Sequence, residues 1–403
     1  MQIKYSQSQE SEKFNSRPVN WVLFFGSVFF FVLNLFASIA IFPGYSLAIG
    51  SSPFLAGLQN TTFGIIAVLL RFFLGPVMDR RGAKPLMLLG VFTFTTTPLL
   101  VMLSPSYTML LAARVYQSLG LAVYLPGIST LTAAMAPANK IGTYLGASRI
   151  FINLGLLAGP SVALFIIGEL DYNSWFIASA LTCAISLVLL YAVKTPPVSF
   201  RTGQIASSLG QLRKALTVRQ IYPIIGGIAL YAFTYSAVVS FAAVHIESAS
   251  PGAQAPYFFI ILGLAGVAGC LGAGILSDRF SRQKVAWPLL LTVSAGAIAF
   301  SFLYLSPAMI IICGVILGIG IQGSSLVFAA WLIDISKPEM RATTMSLQEN
   351  TIDIVFAAGA LVFGLAAQGP GLGSAFLVTG VMTIAIILPL ARKSAQIIAG
   401  HYQ

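Results

Sequence analysis

Charge is scarce along this chain, and acid scarcer still. Asp, Glu, Lys and Arg make up 8% of its 403 residues, and only 11 residues are acids. Soluble domains average about 25% charged residues, so an ordinary water-solvated surface is excluded. Histidine occurs twice, at His245 and His401, and Cys183, Cys270 and Cys313 stand singly inside apolar runs. With no Cys/His cluster, metal catalysis and a disulfide framework both lose their ligands. No Gly-x-x-x-x-Gly-Lys-Ser/Thr stretch occurs, which removes the usual phosphate cradle. A cleaved leader is not expected, because the first 17 residues are polar and the apolar run after Arg17 far exceeds a signal core.

What the chain has is apolar length. It is 57% hydrophobic, with a mean hydropathy of +0.90. A bilayer span takes about 20 residues. Runs near 20–48, 53–78, 85–104, 108–134, 142–168, 174–194, 220–245, 254–277, 285–305, 307–333, 342–368 and 371–391 meet that length. The fold class expected is all-α and polytopic, with twelve transmembrane helices. The longest polar break joins the sixth and seventh runs. It divides the chain into a tail at 1–18, a six-helix half at 19–195, a linker at 196–219, a second half at 220–391 and a tail at 392–403.

The net charge of +11 reads as topology. Of the 22 Lys and Arg, all but Arg71, Arg114 and Arg149 fall in the tails or in the joins after even-numbered runs. The joins after odd-numbered runs carry acids or neutral residues only, such as Glu169, Asp171 and Glu247. The positive-inside rule then expects both termini in the cytoplasm. Nucleic acid is not expected as a partner; the lipid bilayer is.

The stretch Gly75-Pro76-Val77-Met78-Asp79-Arg80-Arg81-Gly82-Ala83-Lys84 has a second copy at Gly274-Ile275-Leu276-Ser277-Asp278-Arg279-Phe280-Ser281-Arg282. The glycines Gly75 and Gly274 are 199 residues apart. A repeat on that scale implies two pseudo-symmetric halves. At an offset of 200, Arg149 aligns with Glu349, Asn153 with Asp353 and Gly159 with Gly359. Glu349 and Asp353 are four residues apart and share a helix face. Two carboxylates that close in a low dielectric do not both ionise easily, which suits proton loading and release; neutralising a buried arginine is the plainer use of Glu349. Arg71 and Glu349 lie at matching depth, about 12 and 10 Å inward from the cytoplasmic loops at 1.5 Å per residue. Charges at such depth are costly and usually functional.

Twelve helices in two repeats, with Gly75, Asp79, Arg80, Gly82 and Lys84 after the second, resemble the major facilitator superfamily. The second copy has Ser281 where that family has Gly. The resemblance implies a gating loop that includes Asp278 and Arg279, and an interface pair of Arg71 with Glu349 between the halves. Arg114-Val115-Tyr116-Gln117-Ser118-Leu119-Gly120 and the series Gly146, Gly155, Gly159 and Pro160 resemble the drug/proton antiporter branch. That likeness implies a proton-coupling set of Glu349, Asp353 and Arg114. It also implies a substrate cavity drawn from Asn34, Arg114, Arg149, Tyr231, Tyr235 and Gln322. The first helix offers Asn34 where exporters of cationic drugs often have an acid, which argues against a cationic substrate.

Gly318-Ile319-Gly320-Ile321-Gln322-Gly323 fits a dinucleotide fingerprint, but no strand precedes it. Asn60-Thr61-Thr62 is a formal glycosylation acceptor too near a span for ready use. The function expected is secondary active transport by alternating access, as a proton-coupled exporter of a small organic molecule. Import of an organic anion or zwitterion is the alternative, and a non-transporting receptor on the same fold is a third. The expected protein is not an enzyme and is a monomer of a bacterial inner membrane. It holds no cofactor or metal, and the proton is its coupling ion.

Overall fold

The computed structural model describes residues 18–137, 141–195, 220–249, 255–306, 308–336 and 341–399. Among these it is entirely helical: α1 Pro18–Ala48, α2 Pro53–Arg81, α3 Ala83–Leu103, α4 Tyr107–Met135, α5 Ile141–Glu169, α6 Tyr172–Ala192, α7 Ile221–Ala249, α8 Ala255–Phe280, α9 Arg282–Phe300, α10 Met309–Ile335, α11 Arg341–Gln368 and α12 Leu372–Ala399, with one 3-10 turn at Leu303–Leu305. Twelve helices are long and apolar enough to cross a membrane. The reason is elementary: in hydrocarbon every backbone N–H and C=O must find a partner within its own segment, and a helix provides one. Side chains cap some of the described helix starts. Ser106 accepts from the Met109 N–H and Asp171 from the Ser174 N–H, each satisfying a first-turn donor.

Two expectations change here. The repeated motif is mostly helix rather than loop. Gly75 to Arg81 form the last two turns of α2, and Gly82 alone breaks the chain, at φ 84 and ψ 161, before α3 begins. The spacing of Gly75 and Asp79 is helical, and only Gly82 needs the left-handed region that glycine enters freely. In the second copy Ser281 makes the same turn at φ 86 and ψ 144. The last helix also continues past 391, through Arg392 and Lys393 to Ala399. The expected tail at 1–17 and linker at 196–219 lie outside the described residues.

Contact density divides the chain into two units: residues 1–38 with 66–202, and residues 39–65 with 203–403. The end of the α1–α2 hairpin therefore packs with the second half of the sequence. In unit one, α3 packs against α4 and α6. A buried hydroxyl set joins three helices there: Ser27 Oγ lies 2.7 Å from Tyr124 Oη and 3.0 Å from Ser186 Oγ. Reciprocal bonds tie the start of α1 to the chain after α6. Asn20 Nδ2 donates to the Lys194 carbonyl and Asn20 Oδ1 accepts from the Lys194 N–H, both at 2.8 Å.

In unit two, α10 packs between α8 and α9, and α7 packs on α11. The Gly318–Gly323 stretch serves this packing: a Cβ on Gly320 would stand 2.8 Å from the Val293 nitrogen of α9.

Candidate functional site

In unit one the site begins with Arg114 on α4. It is fully buried, and its Nη1 donates to Gln117 Oε1 at 2.6 Å and to Ser38 Oγ of α1 at 3.4 Å. Gln117 sits one turn further along the same helix, where side chains three apart meet. Both of these acceptors are neutral, and Arg114 has a further interaction besides them.

Two glycines bring α5 against α1. A Cβ on Gly155 would stand 2.9 Å from the Leu33 nitrogen, and one on Gly159 would run into the Leu33 carbonyl and stand 3.1 Å from the Ala37 nitrogen. Gly146 meets nothing within 4 Å, so the packing carried by the series narrows to Gly155 and Gly159. Pro160 lies inside α5 directly after this contact. Arg149 lies on the same helix, about 80° around the axis from Gly159 at 100° per residue, and is exposed.

Asn34 differs from the expectation of a cavity residue. It is 1% exposed. Its Nδ2 donates to the Phe30 carbonyl and Thr182 Oγ1, and its Oδ1 accepts from Ser179 and Thr182. Its amide is committed to joining α1 to α6, because an amide buried in hydrocarbon must find partners.

Unit two repeats the α5–α1 arrangement with the charge reversed. Gly359 packs α11 on α7, where a Cβ would stand 2.9 Å from Ser236 Cβ, and Ser236 Oγ donates to the Phe356 carbonyl. Glu349 and Asp353 stand half-buried on α11. Each has a further side-chain interaction of its own, as do Arg71 and Arg149. Arg71 and Glu349 fall in different units.

The cavity candidates of unit two are enclosed to different degrees. Tyr231 is enclosed: it is 2% exposed and its ring stacks 6.2 Å from Phe328. Tyr235 stays half-buried, edge-on to Phe356 at 5.7 Å. Gln322 is half-buried with its stem against Gly266 of α8.

The two motif copies are stabilised differently. In the first, Lys84 Nζ donates to the Tyr191 and Val193 carbonyls at 2.9 and 2.5 Å. A cation at a helix C-terminus offsets both the dipole and the orphan carbonyls. Arg80 is exposed, and the side chain of Asp79 lies outside those described. In the second, Arg282 holds the group together. Its Nε donates to Asp334 Oδ2 at 3.0 Å, while Nη1 reaches Asp278 Oδ1 and Ser277 Oγ. Arg279 lies over the Phe280 ring at 5.5 Å.

Sequence reasoning missed Ser38 as a partner of Arg114, and it quoted Gln117 and Arg282 within their motif stretches without assigning them partners. Arg282 could have been paired with Asp278, since only a short turn separates them. Asp334, a lone acid ending a long apolar run, gave a weaker signal.

The family model described as Major Facilitator Superfamily matches residues 24–323 and 271–395. Quinolone resistance protein NorA of Staphylococcus aureus is 22% identical over 45% of this chain, and the match spans about half of NorA, 47% of its length. A probable sugar efflux transporter of Helicobacter pylori is 23% identical over 88% of this chain and 90% of its own. Among solved structures, the nucleoside transporter NupG superposes with a TM-score of 0.77 at 12% identity, over 94% of this chain and 99% of its own. A bacterial homologue of the human lysosomal transporter Spinster gives 0.72 at 16%, over 94% and 97%. At these identities the structures speak for the fold alone.

Proposed function

Because the chain belongs to the Major Facilitator Superfamily, which makes it a membrane-spanning transporter of a small molecule and not an enzyme, we propose that it is a proton-coupled exporter. The observation that carries the coupling is on α11. Glu349 and Asp353 share one face of a helix that Gly359 holds against α7, and both stand half-buried within the span. Either carboxyl can take up a proton when the site is open to one side and lose it when the site faces the other. Arg114, positioned by Gln117 and Ser38 and by a further interaction of its own, is the buried cation that exchanges partners with a substrate anion or a deprotonated carboxylate. Export is supported by the names of the two relatives, a quinolone resistance protein and a probable sugar efflux transporter, and by the Gly155 and Gly159 packing of α5 on α1. The placement proposed is a bacterial inner membrane with both termini cytoplasmic, which rests on the distribution of Lys and Arg.

Import of an organic anion is the second reading. Its support is the set of Arg71, Arg114 and Arg149 within spanning helices, together with an α1 that carries no acid. One experiment separates the two. Purified protein in liposomes loaded with a pH-sensitive dye is offered quinolones, sugars and carboxylates in turn. Export by exchange predicts proton movement opposite to substrate, and import with protons predicts movement together. A preparation that binds a substrate yet moves no protons with it would remove the coupling.

A further inference from the structure

The Asn60-Thr61-Thr62 stretch acquires a role from its neighbours. Pro43 lies inside α1. Proline has no N–H to return to the carbonyl four residues before it, so the Ile39 carbonyl lacks its helical donor. Within a membrane a freed carbonyl must be satisfied by another group. Asn60 Nδ2, from α2, donates to that carbonyl at 3.0 Å. The same amide nitrogen reaches Ser240 Oγ on α7 at 3.2 Å. Asn60 is 1% exposed, which also closes it to glycosylation in this form.

The residues on either side dock the same turn of helix. Thr61 Oγ1 donates to the Ala357 carbonyl of α11 at 2.9 Å. Gly57, one turn earlier, crosses Gly364 so closely that a Cβ on it would stand 2.9 Å from the Gly364 Cα. All of these residues belong to unit two.

We propose that Asn60 is a latch. One hydrogen of its carboxamide repairs the break that Pro43 makes in α1, and this bond aims the other hydrogen at Ser240. The kink in α1 thereby orients the group that fastens the α1–α2 hairpin end to α7. Thr61 and the Gly57–Gly364 crossing complete the seat, and undocking of the hairpin end begins with loss of the Asn60–Ser240 bond. The latch goes beyond the direction and the coupling ion proposed above, and it serves export and import alike.

The test uses full-length protein in nanodiscs, with Cys183, Cys270 and Cys313 replaced by alanine and buried Gln59→Cys as the probe. Labelling by a water-soluble maleimide then reports undocking. Asn60→Ala is expected to raise the labelling rate about fivefold, the factor that corresponds to one hydrogen bond of about 1 kcal/mol. Ser240→Ala is expected to do the same, and the two together no more than either alone. Adding Pro43→Ala to Asn60→Ala returns an N–H to the Ile39 carbonyl, so the melting temperature should rise while labelling stays fast. Unchanged labelling in both single variants overturns the latch, as do additive effects or a double variant with Pro43→Ala that melts no higher. Should Asn60→Ala fail to fold, Ser240→Ala alone decides: faster labelling in a normally melting protein supports the latch, and an unchanged rate overturns it.

Discussion

Gly82 and Ser281 turn the chain through the same conformation, at φ 84 and φ 86, in equivalent places between α2 and α3 and between α8 and α9. One position is free of strain and the other is not, because a side chain at positive φ with extended ψ costs roughly 1–3 kcal/mol. Ser281→Gly is therefore expected to raise stability by about 1 kcal/mol or more, read as a higher melting temperature in detergent. Gly82→Ala should lower it by a similar amount. A Ser281→Gly protein that melts at or below the parent temperature would count against the shared geometry.

The glycines of α5 make a sharper contrast. Gly159 has the Leu33 carbonyl where a Cβ would go, whereas Gly146 has open space. Overpacking of this kind costs about 1–3 kcal/mol, so Gly159→Ala should lower the melting temperature clearly and Gly146→Ala should leave it near the parent value. Equal effects from the two substitutions would mean that α5 does not meet α1 along this line.

The acids of α11 are expected to separate coupling from binding. In Asp353→Asn or Glu349→Gln protein, substrate exchange across liposomes at equal pH should persist, while accumulation driven by a pH gradient should vanish. If both single variants still accumulate substrate with a gradient, the coupling carboxylate lies elsewhere, and Asp334 is the next to change.

Of the two motif aspartates, Asp79 is expected to matter more for transport. Asp278 shares its cation Arg282 with Asp334, and exposed pairs of this kind contribute only about 0–1 kcal/mol. Asp278→Asn should leave most transport intact, and Asp79→Asn should lose most of it at matched membrane levels. Comparable rates in the two variants would remove the distinction.

The helices were legible from apolar length because lipid leaves the backbone no other choice. The motif between α2 and α3 was expected as a loop, and the turn proved to be confined to Gly82 because the residues before it keep helical spacing. The bonds of Asn34 to α6 were not legible for a physical reason. A polar residue in an apolar helix signals a partner, but not whether that partner is a substrate or a neighbouring helix, and Thr182 and Ser179 of α6 lie far along the chain. Asn60 was harder still. Its meaning depends on a carbonyl freed by Pro43 in a different helix, and no pattern within α2 records that. Closeness in sequence reveals pairs such as Asp278 with Arg282 across a short turn, while bonds between helices far apart in the chain stay hidden until the packing is known.

The seating of residues 39–65 in unit two bears on how this polypeptide could be divided. A break between residues 195 and 220 yields two fragments that are not self-sufficient. The first carries, at the tip of its opening hairpin, helical turns that the second needs to cover α7 and the Ala357 carbonyl of α11. The second, made alone, exposes that surface. Synthesised in the same cell, the pieces have a built-in means of recognising each other, as an exchanged segment does in a domain-swapped dimer.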